Sequence, residues 1–272
     1  MRGKVRWIIN LTLTLTEGST LWYSDGDCML SMNRLSFEDA PFVKGKVKTI
    51  FQTDKPDEVL IQYEDRVTAG NGEKEDYPQG KGAICCEISS IIFKKLEEVG
   101  VKTHYLGMPT HRAMLCRKVD IIPLEVICRN FAAGSIVRTT TINEGTAINP
   151  PIVEFFLKDD SKNDPLLTMD RVRLMGYDPQ PLIEATHSIN SHLLTLFTLM
   201  GIDLIDFKVE FGYDNHGDLY LADEISPDSM RLWKKGTRDR YDKDLFRDDH
   251  YVDEGDILPA YEIILQKLRG FA

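Results

Sequence analysis

The chain is predicted to fold as α+β, on three observations. Hydrophobic runs of period two outnumber helical ones. The helical stretches stand singly among them, without the strand–helix–strand alternation of a parallel sheet. The clearest turn signal, Tyr213-Asp214-Asn215-His216-Gly217-Asp218, joins two strand-like runs as an antiparallel hairpin.

Taken in order, residues 42–52 alternate as a strand, a Pro-containing turn follows at 53–57, and 58–64 is a second strand, making a hairpin. Thr68-Ala69-Gly70-Asn71-Gly72 reads as a loop. Residues 82–99 carry Ile84, Ile88, Ile91, Ile92, Leu96 and Val99 at helical spacing and are closed by Gly100. Strands are expected at 101–106, 113–119 and 121–129, then a loop-rich middle containing Asn149-Pro150-Pro151 and Asn163-Asp164-Pro165. Two further helices are predicted, 181–200 stopped by Gly201 and 258–268, with strands 202–211 and 219–225 between them. There is no internal repeat.

The 272 residues suffice for two modest domains with buried cores. Thirty-three Lys and Arg against 43 Asp and Glu give a net charge of −10. A chain with that charge repels polyanions, so nucleic acid is not an expected partner and any phosphorylated ligand must be small and held by a local basic cluster. No run approaches the roughly 20 apolar residues of a membrane span. The five cysteines, Cys28, Cys85, Cys86, Cys116 and Cys128, form no CxxC pair and read as reduced thiols of a cytoplasmic protein. The six histidines are scattered, which argues against structural zinc. Residues 1–40 differ in texture. Arg2, Lys4 and Arg6 before an apolar run imitate a secretory signal, but no A-x-A site follows, so an added strand or sequence upstream of a later start at Met29 or Met32 is expected, without an assigned role.

Several segments could carry chemistry. Lys44-Gly45-Lys46-Val47-Lys48 would present alternate lysines from one strand face, close enough to cover phosphates; a lysine-rich edge strand that resists aggregation reads the same way. No Walker-type loop is present. In Asp206-Phe207-Lys208-Val209-Glu210-Phe211 the alternation buries the apolar residues and leaves Asp206, Lys208 and Glu210 on the other face. With Asn215 and His216 at the tip, Lys208 falls opposite Asp223 and Glu210 opposite Leu221, making Glu210 and Asp223 diagonal neighbours. Two adjacent carboxylates suit magnesium beside nucleotide phosphates; an ordinary solvated Lys–Asp pair is the alternative. Arg129 ends a strand before Asn130-Phe131-Ala132-Ala133-Gly134-Ser135, a turn able to bind phosphate or carboxylate, unless Arg129 serves a structural ion pair. Asp223-Glu224-Ile225-Ser226-Pro227-Asp228-Ser229-Met230-Arg231 packs acids, hydroxyls and an arginine into one loop. Tyr241-Asp242-Lys243-Asp244-Leu245-Phe246-Arg247 reads as a solvated charged segment.

Lys46-Val47-Lys48, the 68–72 loop, Arg129 through Ser135, Phe155-Phe156-Leu157-Lys158, Asp206 through Gly212 and Asp223 through Arg231 together resemble the phosphoribosylaminoimidazole-succinocarboxamide synthase (SAICAR synthetase) family. The resemblance runs in order from about residue 41 to the carboxyl end. It implies an ATP- and Mg2+-dependent ligase joining L-aspartate to the carboxylate of carboxyaminoimidazole ribotide (CAIR) in purine biosynthesis. The implied fold is a small kinase-like antiparallel domain at 41–117, covering the nucleotide. A larger ATP-grasp-like domain at 118–272 carries the metal and substrate sites, with the nucleotide in the cleft between them.

Carried over by motif, Lys46, Lys48, Arg117, Lys158, Glu210 and Asp223 are the implied ATP-binding residues, with Glu210 and Asp223 also the metal pair. Thr68, Asn71, Arg129, Ser135, Lys208, Arg231 and Arg247 are the implied substrate-binding set, and Lys208 and Asp228 the catalytic residues. A homodimer is also implied. Three departures stand out: residues 1–40 have no counterpart in the compact bacterial enzymes, Arg117 replaces a frequent lysine, and Leu167-Thr168-Met169-Asp170-Arg171 diverges. The proton acceptor for the aspartate amine is left open among Asp206, Asp228 and the substrate's own phosphate. A small-molecule or inositol-phosphate kinase, and a nucleotide-binding regulatory module without turnover, are the competing readings.

Overall fold

The computed structural model describes residues 41–247 and 257–271. The expectations for residues 1–40, Cys28 and His250 lie outside them. The fold is α+β, built on two antiparallel sheets and a separate hairpin.

The first sheet has the order β1 (Val43–Lys44), β2 (Lys48–Gln52), β3 (Glu58–Tyr63), β7 (Ala113–Arg117), β6 (Tyr105–Thr110). The single strand predicted over 42–52 is in fact a hairpin. Gly45 N–H donates to Lys48 O at 2.8 Å, and Lys44 pairs with Thr49. Lys46 therefore sits at a tip and Lys48 on the returning strand, so the alternate lysines do not share one strand face.

The helix α1 (Lys81–Glu98) packs on this sheet through Cys85, Ile88, Ile92 and Leu96, one face at i, i+3 and i+4 spacing. It ends as the sequence suggests. Gly100, at φ 88°, lets Val101 N–H reach Leu96 O (3.0 Å) and Gly100 N–H reach Glu97 O (3.0 Å), satisfying carbonyls that the helix cannot. Of the loop expected over 68–72, Thr68 and Ala69 belong to β4 (Val67–Ala69), and residues 70–73 turn a small hairpin to β5 (Lys74–Asp76).

The second sheet runs β11 (Leu166–Leu167), β10 (Ala147–Leu157), β9 (Leu124–Phe131), β12 (Ile202–Tyr213), β13 (Leu219–Ala222). The strands β8 (Asp120–Ile121) and β14 (Met230–Lys234) also pair with β12. Asn149-Pro150-Pro151, expected in a loop, lies inside β10. The register against β9 slips between Ala147 and Ile152, which accommodates two residues that cannot donate to a ladder. The short helices α2 (Ser135–Thr139), α3 (Met169–Leu174) and α5 (Asp244–Arg247) were not predicted; none offers enough turns for a periodic signal.

The helix α4 (Pro179–Leu199) begins two residues before its predicted start. Asp178 caps it by accepting from Gln180 N–H (3.0 Å), and Pro179 occupies a first-turn position where no N–H is needed. It covers β12, β9 and β10. The last helix, α6 (Leu258–Arg269), crosses back onto α1, burying Tyr261, Ile264, Leu265 and Leu268. No helix among the described residues is long and apolar enough to cross a membrane. The four described cysteines, Cys85, Cys86, Cys116 and Cys128, are free and buried.

Candidate active site

The site is organised by β12, one face of which carries Asp206, Lys208 and Glu210, the two acids buried and Lys208 half-buried, while Phe207, Val209 and Phe211 are buried on the other. Its hairpin with β13 is one residue off the predicted register. Glu210 pairs with Ala222 and Phe211 with Leu221, because the turn has an odd number of residues. Asp214 N–H donates to Asp218 O (3.0 Å), and the Asp214 carboxylate accepts from His216 N–H (2.9 Å) and Asp218 N–H (3.0 Å).

A continued strand in this register would put Asp223 on the face away from Glu210. The chain instead turns at Asp223, which takes φ 63°, and its carboxylate returns to the β12 face. The Lys208 ammonium there lies 2.7 Å from Glu210, 3.2 Å from Glu125 and 3.6 Å from Asp223.

Two more lysines meet the same acids. Lys48 is paired with Asp223 and lies 3.0 Å from Glu224, and Lys158 is paired with Glu210. Burial would lower the Lys208 and Lys48 ammonium groups, but their carboxylate partners hold both above the ordinary lysine range. Asp223, which burial would raise, is held below the ordinary carboxylate range by Lys48 and Lys208. Lys46 stands apart on its hairpin tip, 43% exposed and paired with Asp160.

A second cluster lies further along β12. Asp206 is directly opposite Arg129 on β9 and Arg231 on β14, and it binds both guanidinium groups, at 2.7 Å and 2.8 Å. The register slip between Leu204 and Asp206 brings Asp206 opposite Arg231. Burial pushes the Asp206 carboxyl up, an effect the two arginines oppose. Arg129, 1% exposed, also meets Glu154, Ala133 O (3.1 Å) and Ser135 Oγ (2.8 Å), so it holds the 132–135 turn in shape. Arg231 continues to Asp244 (2.6 Å), which pairs with Arg247. Asn130 anchors the same turn to α4 by reciprocal amide bonds with Asn190, both at 2.9 Å.

Asp228 is buried between two partners. Lys81, the first residue of α1, pairs with it, and Tyr261 of α6 donates its hydroxyl at 2.7 Å. Burial would raise its carboxyl, but Lys81 brings it down to about 2. Arg117, at the end of β7, lies over the Tyr220 ring at 5.0 Å. Thr68 is buried in β4, and the backbone of Asn71 lies in the turn joining β4 to β5. Lys74 ties this hairpin to α5 through Phe246 O (2.7 Å).

The structure thus gathers Lys48, Lys158, Lys208, Glu210 and Asp223 into one cluster and Arg129, Ser135, Arg231 and Arg247 into another. Lys46, Arg117 and Thr68 lie outside both networks. Glu125, Lys81, Asn190 and Tyr261 are given no role by the sequence, and Glu224 and Asp244 appear there only within the 223–231 loop and the 241–247 charged segment. Two of them left a signal. A lysine opening a helix is misplaced against the dipole unless an acid meets it, and a tyrosine on the apolar stripe of α6 needs a partner for its hydroxyl.

Glu210 and Asp223 both approach the Lys208 ammonium, at 2.7 and 3.6 Å, and offer only carboxylate oxygens, a donor type that fits a hard ion such as magnesium. Among the described residues, Cys85, Glu224 and Asp228 bring three potential ligand atoms together. That grouping fits magnesium poorly. Burial raises the Cys85 thiol well above its ordinary range, and a sulfur ligand suits a hard ion badly.

A family profile described as SAICAR synthetase matches residues 41–257. The chain is 46% identical to the phosphoribosylaminoimidazole-succinocarboxamide synthase of Methanocaldococcus jannaschii over 232 residues, covering 84% of this chain and 94% of that one. It is 44% identical to the Bacillus mycoides enzyme of the same name over 231 residues, 84% and 95% of the two chains. Among solved structures, a SAICAR synthetase in complex with ADP superposes with a TM-score of 0.80 at 37% identity, over 84% of this chain and 97% of that chain. The Ehrlichia chaffeensis enzyme gives 0.79 at 38%, over 85% and 98%. The chain belongs to the SAICAR synthetase family.

Proposed function

We propose that this protein ligates L-aspartate to the carboxylate of CAIR, consuming ATP and releasing ADP, phosphate and SAICAR. The observation that carries the reading is the single strand β12. It presents a lysine–carboxylate cluster at Lys208 and Glu210 and an arginine cluster at Asp206, side by side.

A carboxylate acylates poorly because oxide would have to leave; phosphorylation turns that oxygen into a phosphate leaving group. The step depends on alignment and charge neutralisation. Lys48, Lys158 and Lys208 supply positive charge where the transferred phosphoryl group would lie. Glu210 and Asp223 are the residues that would hold magnesium, whose contribution when bound is to neutralise charge on phosphate oxygens. Ser135 and Arg231 suit the ribotide phosphate, with Arg129 and Asp206 fixing their positions.

The aspartate nitrogen then attacks the acyl carbon, the C–N bond forms, the C–O bond to phosphate breaks, and the amine loses a proton. Asp228, at about 2 and bound by Lys81 and Tyr261, is a weak base. That supports the departing phosphate as proton acceptor. In this reading 41–117 covers the nucleotide and 118–272 carries the metal and substrate sites. The enzyme works as a cytoplasmic homodimer on small molecules, without nucleic acid or membrane, in keeping with its net charge of −10.

The test is ADP release with each cosubstrate omitted in turn. Release is expected only with ATP, CAIR and L-aspartate together. ADP formed at the same rate without L-aspartate would point to a kinase and overturn the ligase.

A further inference from the structure

The β4–β5 hairpin pairs with neither of the larger sheets, so its place depends on contacts made near its ends. Lys74 of β5 makes one, to Phe246 O of α5 (2.7 Å). Arg66, the residue before β4, binds Glu75 of the same hairpin (3.0 Å) and Lys46 O (3.3 Å) through its guanidinium. Its carbonyl is taken by Lys81, whose ammonium donates to Arg66 O at 3.2 Å and also pairs with Asp228.

One ammonium thus joins the residue that leads into β4 to the turn that leads into Arg231. Both sides of the link are fixed. Asp228 gives one carboxylate oxygen to Lys81 and the other to the Tyr261 hydroxyl (2.7 Å), and its N–H donates to Ser226 Oγ (3.2 Å). At the start of α1, Gly82 N–H donates to Asp65 Oδ1 (2.9 Å), and a Cβ built on Gly82 would lie 2.7 Å from Tyr63 O and 3.0 Å from Glu64 O. The helix end therefore packs directly against the chain entering the hairpin.

Stability alone does not account for a lysine at this position. The first turn of a helix disfavours a cation, and at 2% exposure the ammonium also bears a desolvation cost that an apolar side chain would avoid. Burial would lower the Lys81 ammonium, but Asp228 holds it above the ordinary lysine range. What the charged group supplies is donors in two directions, towards two segments that no ladder connects.

We propose that Lys81 is a positioning residue for the ribotide. It sets the spacing between the β4–β5 hairpin, which carries Thr68 and Asn71, and the 226–231 loop, which carries Arg231, and it acts only through those segments. The proposal rests on the ligase reading above.

The test is steady-state ADP release by the full chain, titrating CAIR and ATP in turn with the other substrates saturating, for the wild type, Lys81→Met, Asp228→Asn and the double variant. In Lys81→Met the KM for CAIR should rise about tenfold or more while that for ATP stays within about twofold. Its Tm should fall, because Asp228 is left buried without its cation, and the double variant should recover most of that loss. Its CAIR KM should nonetheless stay raised, and by about as much as in either single variant, because a link broken once cannot be broken again. If Lys81→Met does not fold, the double variant carries the same reading. An unchanged CAIR KM, equal rises for CAIR and ATP, or a CAIR KM that returns to the wild-type value together with the Tm would reduce Lys81 to a structural ion pair and overturn the proposal. So would single effects that multiply in the double variant. A wild-type enzyme showing no aspartate-stimulated ADP release overturns the ligase reading itself, and that failure is recognised without any variant.

Discussion

The guanidinium of Arg231 occupies the space that a side chain at Gly134 would need. A Cβ built there lies 2.6 Å from Arg231 Cζ and 2.9 Å from Nη1, and Gly134 has φ 66°. The proposed phosphate turn and its arginine therefore form one fitted unit. Gly134→Ala should displace Arg231 from Asp206 and raise the KM for CAIR about tenfold or more, leaving the KM for ATP unchanged. Backbone strain should add about 1–3 kcal/mol of destabilisation. Substrate titrations and urea unfolding check both; an unchanged CAIR KM would separate Arg231 from the ribotide.

Lys208 keeps three carboxylates, Glu125, Glu210 and Asp223, close to one cation. Lys208→Ala leaves those acids to repel one another. Turnover should fall by about 100-fold, the scale of losing a preorganised charge. Without divalent metal the variant should melt below the wild type, and magnesium should raise its Tm more than it raises the wild type's, since a ligand that binds only the folded state stabilises it. Glu210→Gln should raise the magnesium concentration for half-maximal activity by about tenfold. Thermal scans with and without magnesium decide the matter; a Tm indifferent to magnesium in wild type and Lys208→Ala alike would contradict the metal pair.

Hydrophobic periodicity made the alternating face of β12 and the bodies of α1, α4 and α6 readable in advance, since each buries one stripe. The details that assemble the site left no periodic trace. The turn after β12 depends on whether Asp214 or Asn215 closes it, one residue that decides the whole register. The return of Asp223 depends on a backbone conformation that aspartate tolerates but does not announce. The Lys44–Lys48 run alternates like one strand, whereas Gly45 opens the turn of a hairpin. Asp242 and Asp244 looked like solvated charge, yet both are buried because they accept from backbone N–H groups and arginines supplied by distant segments. The same holds for Lys81 and Tyr261, which meet Asp228 from opposite ends of the chain.

Asp228 makes stability depend on pH in the acid range. Its carboxyl is held at about 2, against roughly 3.9 for an unfolded aspartate. A depressed carboxyl contributes fully above its unfolded value and loses that contribution as pH falls toward the folded value. The Lys81 and Tyr261 contacts should thus stabilise the fold in full above about pH 4 and progressively less down to about pH 2. Asp228→Asn should lower stability at pH 7 and flatten the curve between those limits. Denaturant unfolding from pH 2 to pH 7 tests this; parallel curves for the two proteins would mean that Asp228 titrates alike folded and unfolded.

Asn130 and Asn190 test whether the anchor behind the arginine turn is purely structural. Each amide donates to the other's oxygen at 2.9 Å, and Asn130 also donates to Leu204 O at 3.2 Å, so the pair is buried but satisfied. Asn190→Leu removes one member and leaves the Asn130 amide with only the Leu204 carbonyl. An unpaired buried polar group costs about 1–3 kcal/mol, which is the destabilisation expected in denaturant unfolding. Asn190 touches α4 and the start of the turn, whereas Arg129 independently holds Ala133 and Ser135. The molecules that remain folded should therefore keep their KM for CAIR within about twofold. A large rise in that KM without loss of stability would mean that the amide pair, and not Arg129, sets the shape of the phosphate turn.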